Sequence, residues 1–523
     1  MSELFTELSL GKFFESMVEK QPDHEFIVYP DRNLRFTYKE FDERVDNLAK
    51  GLLTLGIKKG DRVMLILKRH YQFWFAMLGL NKLGAIAIPT SHMVSTEDIK
   101  ERVKLAGTKA VICVNSGDIC LKVKEAVKES GAALIVVGDR YGEEKSFDDI
   151  VKNASESFER IETKVSDPML YYFTSGTNGA PKAVIHDFSY PLAHIFTAKN
   201  WHGIKEDDLH LTVADSGWAK TAWGKLYGQW FLGAAILVYD YEQFYAGDIL
   251  KLLEEEKVNT FCAPPSVYKY LILEDFSKYD LHNLRFATTA GEAMPKEVSK
   301  KFKDRTGLSI REGFGQTETA LQLCTQVDGE QIPGSIGKAS PLYHIELVDE
   351  ENNPVPDGKE GEIVIVLKNG RRPIGVFTGY LGDDRMYEEA FEGGVYHTKD
   401  KAKRDKNGNY FFVGRNDDVI KSSGYRIGPS EVEDILMRHP AVFECAVTGF
   451  PSKNRGALVK ASIVLNEGYE TDNKLAVELQ DFVKERTAIY KYPRMIKFEK
   501  SLPHNTNGKI LRSVIRKADY NSI

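Results

Sequence analysis

Residues 171–182 read Tyr171-Tyr172-Phe173-Thr174-Ser175-Gly176-Thr177-Asn178-Gly179-Ala180-Pro181-Lys182, an apolar run that breaks into hydroxyls, glycines and a terminal lysine. Residues 169–173 have the length and composition of a buried strand. The strand delivers a loop that can turn backbone N–H groups and hydroxyls toward phosphate oxygens, with Lys182 as a point charge. Its spacing is G-x-x-G-x-x-K, so the G-x-x-x-x-G-K-[ST] of a P-loop does not fit. Taken alone, a polar surface turn explains the segment as well.

Outward from this loop, strand and helix signals alternate. Upstream, Thr37-Tyr38-Lys39-Glu40 has the form of a capping box and opens a run with Phe41, Val45, Leu48 and Leu52 at helical spacing, stopped by Gly56. Apolar runs at 63–67, 85–88, 111–114 and 133–137 predict buried strands, with helices over 73–83 and 121–130 between them. The pattern returns at 235–238, 260–263 and 286–289, with a helix ending near Lys257. Strands separated by helices predict parallel sheet covered on both faces. From about residue 340 short strands meet turn sequences, Pro356-Asp357-Gly358 and Lys406-Asn407-Gly408-Asn409, as in antiparallel sheet. A compact α+β pattern closes the chain: helix 429–438, strands 443–449 and 459–465, helix 474–486. The boundary falls at 416–418 in a short polar joint, dividing the chain into 1–416 and 417–523. Such a joint can hinge, because a few element-terminal residues absorb domain motion. There is no internal repeat.

Composition bounds the function. The 523 residues exceed one ordinary core. With 42% hydrophobic and 28% charged residues, the chain is neither disordered nor fibrous. The net charge of -6 argues against a general polyanion binder, and no motif supports a nucleic-acid role. Cys113, Cys120, Cys262, Cys324 and Cys445 lack metal-ligand spacing and read as reduced thiols. The longest near-apolar run, 231–239, is about half a membrane span. The first residues lack a signal-peptide pattern, so a soluble cytoplasmic protein is expected.

Four more segments carry chemistry. Glu312-Gly313-Phe314-Gly315-Gln316-Thr317-Glu318 offers a carboxylate suited to Mg²⁺ beside phosphate and a threonine donor, or simply a loop with a solvated glutamate. Tyr396-His397-Thr398-Lys399-Asp400 and Gly414-Arg415 offer a carboxylate for ribose hydroxyls and an arginine for phosphate, or a strand-end ion pair. Lys421-Ser422-Ser423-Gly424-Tyr425-Arg426-Ile427-Gly428-Pro429 is a turn-rich loop ending at a helix start. Asn505-Thr506-Asn507-Gly508-Lys509 places a lysine after a polar loop tip.

In this order the five segments resemble the adenylate-forming superfamily of acyl-CoA synthetases, luciferases and peptide-synthetase adenylation domains, over essentially the whole chain. Ser422-Ser423-Gly424-Tyr425-Arg426-Ile427-Gly428-Pro429, Ile489-Tyr490-Lys491-Tyr492-Pro493-Arg494 and Asp215-Ser216-Gly217-Trp218-Ala219-Lys220 look most like medium-chain acyl-CoA synthetases. Two residues depart from the pattern: Asn178, where Thr or Ser is common, and Lys399, where many members have Gly.

The resemblance implies an α/β fold: a large domain of mostly parallel sheets with a small β-barrel-like subdomain, and a small mobile α+β C-terminal domain. It implies that Thr174, Ser175, Gly176, Thr177, Asn178, Gly179 and Lys182 cradle the ATP phosphates. Gly291, Glu292, Glu312, Gly313, Phe314, Gly315, Gln316 and Thr317 would line adenine and the α-phosphate, with Glu318 toward Mg²⁺. Asp400 would hold the ribose, and Arg415 the ribose or phosphate. Asp417 would be the hinge. Lys509 would serve adenylation, and Ser423, Gly424, Tyr425, Arg426, Arg455 and Lys484 would contact CoA. Glycine at 315, where acetate-specific relatives carry Trp, implies an open acyl pocket and an acid larger than acetate (medium-chain, branched or aromatic), with Trp218 and the aromatic stretch 223–230 lining it. The expected partners are ATP, CoA and a small carboxylic acid, and a homo-oligomer is compatible with all of this. A benzoate-type aryl-CoA ligase and an inactive nucleotide- or CoA-binding sensor on the same fold are the rival readings.

Overall fold

The computed structural model describes residues 10–140, 142–152, 158–175, 181–415, 418, 420–422, 425–452, 456–505 and 509–521. Two large sheets organise the first 340 residues. The nine-stranded sheet has six parallel strands in the order Ile310–Phe314, Phe286–Ala290, Thr260–Cys262, Leu209–Thr212, Ala235–Leu237 and Glu25–Tyr29, with antiparallel strands at its edges. The eight-stranded sheet runs parallel from Lys145–Ser146 to Pro168–Ser175, then turns antiparallel through Pro181–Asp187 to Gly379–Tyr380.

The helix Gln72–Leu83 lies wholly inside the large domain and packs against the eight-stranded sheet. All twelve of its residues are buried, including Gln72, Asn81 and Lys82. A helix that is apolar nearly all round needs protein on every side. Lys82 is tolerated there because Asp42 and Asp46 meet its ammonium at 2.7 and 2.5 Å. The helix Tyr38–Thr54 begins at the expected capping box: Thr37 Oγ1 accepts from the Glu40 N–H at 3.2 Å, and the Thr37 N–H donates to Glu40 Oε2 at 3.0 Å. Its buried face is Tyr38, Phe41, Val45, Leu48, Ala49 and Leu52.

Past residue 340 the texture changes as the turn sequences require. Strands Ile345–Val348, Glu360–Val366, Val395–Arg404 and Tyr410–Arg415 form a four-stranded antiparallel sheet. The last part of the chain is a five-stranded sheet with helices Pro429–Leu436, Asn473–Lys484 and Arg512–Tyr520. Its central hairpin, Val442–Ser452 with Gly456–Leu465, is longer than the apolar runs predicted, because ladder hydrogen bonds continue past the last buried side chains. All five cysteines are buried and free. Among the described residues no helix is long and apolar enough to cross a membrane.

Close helix packing gives a direct test of this arrangement. The helix Tyr227–Phe231 lies against Tyr190–Phe196 so tightly that a Cβ on Gly228 would sit 2.1 Å from the His194 carbonyl oxygen. Gly228→Ala should therefore cost about 1–3 kcal/mol, the usual range for overpacking. The check is urea unfolding: a lower midpoint at unchanged slope is expected, and an unchanged midpoint would contradict the packing.

Candidate functional site

The loop of residues 171–182 is the tip of a hairpin. Strand Pro168–Ser175 pairs antiparallel with Pro181–Asp187, setting Thr174 opposite Lys182. Gly176, Thr177, Asn178 and Gly179 lie outside the described residues. At the hairpin base the Lys182 ammonium is 3.0 Å from Glu318 Oε1 and 3.3 Å from the Tyr380 hydroxyl. The Tyr380 O–H donates to the same carboxylate oxygen at 2.9 Å. Burial alone would raise the Glu318 pKa, but the charge and hydrogen bond of Lys182, with that of Tyr380, outweigh it and hold the carboxyl below its ordinary value. The neighbouring Thr317 carbonyl accepts from His186 Nε2–H at 2.8 Å. Burial lowers the His186 pKa to about 4, so its imidazole is neutral near pH 7.

A second network joins this loop to the antiparallel sheet. Gln316 Nε2 donates to Asp400 Oδ2 at 2.6 Å and to the Thr398 carbonyl at 2.7 Å, while the Tyr396 hydroxyl donates to Gln316 Oε1 at 2.6 Å. Asp400 stands opposite Arg415 across paired strands. Lys399 has φ of 61°, the left-handed region. That conformation explains why glycine suits the position, since other residues are strained there by about 1–3 kcal/mol. Glu362 Oε1 accepts from the Lys399 N–H at 2.8 Å and holds the turn.

Glu312 lies in the middle of the strand Ile310–Phe314, and the Met294 N–H donates to its Oε2 at 3.1 Å. Burial raises its pKa to about 8, so this carboxyl is largely protonated near neutrality. Gly313 gives room to Trp201, which a Cβ would meet at 2.7 Å. The Phe314 ring is 6.0 Å from that of Phe412. Gly291 takes φ of 103° with open space around it. Behind it the Lys220 ammonium donates to the Ala290 carbonyl at 2.9 Å. The Glu292 pKa is raised by burial, against the pull of Lys269, Lys509 and Arg512.

The last two of those cations belong to the C-terminal part. Lys296 with Asp434, 3.9 Å apart, and Tyr270 with Phe443, ring centroids 6.0 Å apart, join the same two parts. The Lys509 loop is tied by its backbone, the Lys509 N–H donating to Asn505 Oδ1 at 2.9 Å. Asp417 lies outside the described residues.

The acyl wall needs a correction. Glycine at 315 does not leave open space: a Cβ there would lie 2.4 Å from the Trp223 ring and 2.8 Å from the Ala320 carbonyl oxygen. Glycine is needed because an indole already lies against its Cα. Of the aromatic stretch, Trp223 is therefore the wall residue at 315. Trp218 is half-buried and precedes the short helix Ala219–Gly224 without a capping hydrogen bond from its side chain.

On the C-terminal surface, Tyr425 stacks on Tyr490 with centroids 4.0 Å apart and planes 10° apart. The Lys484 ammonium lies 4.5 Å from the Tyr492 ring centroid and pairs with Asp481 at 2.6 Å. Arg426 lies in strand Tyr425–Ile427, while Ser423, Gly424 and Arg455 are outside the described residues. The residues that sequence reasoning did not single out are Tyr380 and His186, each far along the chain from its partner and without a motif to mark it.

Glu312 yields a pH prediction. Its native pKa lies above the unfolded value, so its stabilisation is complete below about 4.5 and lost as pH rises through about 8. Glu312→Gln keeps the uncharged form and should gain stability relative to the parent between pH 5 and pH 8.5. Urea midpoints of both proteins across that range measure it; a constant difference would mean the carboxyl titrates as in the unfolded chain.

Comparison with known proteins agrees with this geometry. The family model described as AMP-binding enzyme matches residues 14–381, and that described as AMP-binding enzyme C-terminal domain matches residues 431–509. The chain is 38% identical over 499 residues to acyl-coenzyme A synthetase ACSM5, mitochondrial, of Rattus norvegicus, covering 93% of this chain and 85% of the relative. It is 36% identical over 517 residues to human ACSM3, mitochondrial, covering 96% and 87%. Among solved structures, the anthranilate CoA ligase AuaEII in complex with anthranoyl-AMP aligns with a TM-score of 0.91 at 27% identity, covering 99% and 98%. A benzoate CoA ligase from Burkholderia xenovorans LB400 aligns at 0.87 with 27% identity, covering 97% and 100%. With both family models matched in order and curated relatives above 30% identity along nearly its whole length, the chain belongs to the AMP-binding enzyme family, within the adenylate-forming superfamily.

Proposed function

We propose that this enzyme is an AMP-forming carboxylic acid–CoA ligase of the medium-chain acyl-CoA synthetase type, acting on an acid larger than acetate. The observation that carries it is the convergence on the single segment 312–319 of Lys182, Tyr380, Tyr396 and Asp400. The relatives named as acyl-CoA synthetases and the structural neighbour holding anthranoyl-AMP support the same reading.

A carboxylate is a poor acyl donor because its leaving group would be oxide. In the first half-reaction an oxygen of the acid attacks the α-phosphorus of ATP, the bond to the bridging β-phosphate oxygen breaks, and pyrophosphate leaves. The CoA thiolate then attacks the acyl carbon of the mixed anhydride, the bond to the phosphate oxygen breaks, and AMP leaves as the thioester forms. Lys182 and residues 174–179 are suited to the phosphates, and Asp400 with Arg415 to the ribose. Lys509 would supply positive charge as negative charge develops on the α-phosphate oxygens.

Among the described residues no group of three or more His, Cys, Asp or Glu is placed to hold a metal ion. The single ionised carboxylate of Glu318 nevertheless fits Mg²⁺, which takes one or two carboxylates and completes its shell with phosphate oxygens and water. Bound there, Mg²⁺ would neutralise the departing pyrophosphate. Lys182 would then exchange Glu318 for phosphate. For the second half-reaction the C-terminal domain, residues 417–523, would turn about Asp417 and replace Lys509 with the face carrying Ser423, Gly424, Tyr425, Arg426, Arg455 and Lys484.

Pyrophosphate release from ATP–Mg²⁺ with acetate, butyrate, isobutyrate, hexanoate, octanoate and benzoate, each with and without CoA, tests the reading. Acid-dependent release with acetate among the poorest acids is expected. Benzoate as the best acid would mark an aryl ligase. No release from folded, ATP-binding protein would leave the sensor reading. Lys509→Ala should slow acid-dependent release about 100-fold or more, the scale for losing one preorganised charge-stabilising donor. The same variant should still convert supplied acyl-AMP and CoA to thioester. Equal loss of both steps in a folded variant would refute the alternation.

A further inference from the structure

Behind Trp223 lies a group of aromatic side chains with more polar atoms than partners. Tyr172, His186, Tyr190, His194 and Tyr227 are each at most 1% exposed. Their rings form a continuous set: His186 stacks on Tyr190 at 3.8 Å, Tyr190 meets His194 edge-on at 4.6 Å, and Tyr227 lies 5.9 Å from His194 and 6.2 Å from Tyr190. Tyr172 is 6.4 Å from His186. The set touches the site through His186 Nε2 on the Thr317 carbonyl, and the Tyr190 hydroxyl and Trp223 Nε1 are both buried without a hydrogen-bond partner.

The Tyr172 hydroxyl, His186 Nδ1, both ring nitrogens of His194 and the Tyr227 hydroxyl have no hydrogen-bond partner. A buried polar group left so costs about 1–3 kcal/mol, and five such atoms together rival the whole stability of an ordinary domain. The native enzyme must therefore bring polar atoms to this place. Burial lowers the His194 pKa to about 3, so its ring is neutral near pH 7, with one nitrogen a donor and the other an acceptor. The groups acting electrostatically on His194, Tyr172 and Tyr227 are other rings of this set, not charged side chains. The occupant that suits the set is an uncharged hydrogen-bonding group.

Resting on the ligase reading above, we propose that Tyr172, Tyr190, His194 and Tyr227 form the subsite for an uncharged polar group, a hydroxyl or carbonyl, at the far end of the acid, so that the enzyme selects acids with a polar tail over plain alkyl or aryl acids. A pocket built to hydrogen-bond a substrate group discriminates strongly against the analogue that lacks it, because its own polar atoms then stay unpaired.

Matched pairs test this: hexanoate with 6-hydroxyhexanoate, octanoate with 8-hydroxyoctanoate and 7-oxooctanoate, and benzoate with 4-hydroxybenzoate. In acid-dependent pyrophosphate release, kcat/KM for the best polar acid should exceed that of its plain partner at least tenfold. His194→Leu and, as the milder change, Tyr227→Phe should shrink that ratio to about threefold or less. Both variants are to be compared with the parent for thermal unfolding, and a ratio is read only from folded protein. Plain acids preferred in every pair, or an unchanged ratio in folded Tyr227→Phe, would overturn the proposal and mark the cluster as a site of buried water. Absence of release with every acid would instead refute the ligase reading itself.

Discussion

A single buried negative charge ties the molecule together. Glu318 comes from the loop after the last parallel strand of the nine-stranded sheet, whereas Lys182 and Tyr380 stand on adjacent antiparallel strands of the eight-stranded sheet. Their hydrogen bonds cross from one sheet to the other. Backbone bonds follow the same seam, from the Phe377 N–H to the Glu318 carbonyl and from the Ala320 N–H to the Gly375 carbonyl, each at 2.8 Å. Removing either partner would leave an uncompensated charge in a dry place, a cost well above that of a surface ion pair. The position of the candidate site thus follows from where two sheets are bolted together.

Glu312 and Glu318 sit six residues apart in opposite states. Glu312 has a backbone N–H at 3.1 Å, with Lys296 acting only from a distance, and burial wins. Glu318 has an ammonium and a phenol within 3.0 Å, and pairing wins. One short segment so presents a neutral carboxyl and an anionic one near neutral pH. That division of labour comes from neighbours, since the residue type is the same.

Much of this architecture is legible in the amino-acid sequence. The period of the apolar runs marks the parallel strands, the Thr37–Glu40 capping box marks a helix start, and the turn sequences after residue 340 mark the antiparallel sheet. The site motifs are visible where the chemistry is local, as in Gln316-Thr317-Glu318. Partners distant in sequence are not. Nothing near Tyr380 announces that its hydroxyl meets Glu318, and nothing near His186 announces Thr317, because those pairs exist only through sheet register. The reading of Gly315 as an open wall fails for a related reason: a missing side chain leaves space only if no other residue fills it, and Trp223 does.

That last contact makes residues 315 and 223 one variable, not two. A side chain can be added at 315 only after the indole has been cut back, and trimming the indole alone opens a cavity against a bare backbone. Substitutions at the two positions are then expected to be strongly non-additive, as for any pair in direct contact. In lineage terms, a shift toward shorter acids by way of residue 315 has no viable single step. The size class of the pocket is accordingly buffered against drift at these two positions.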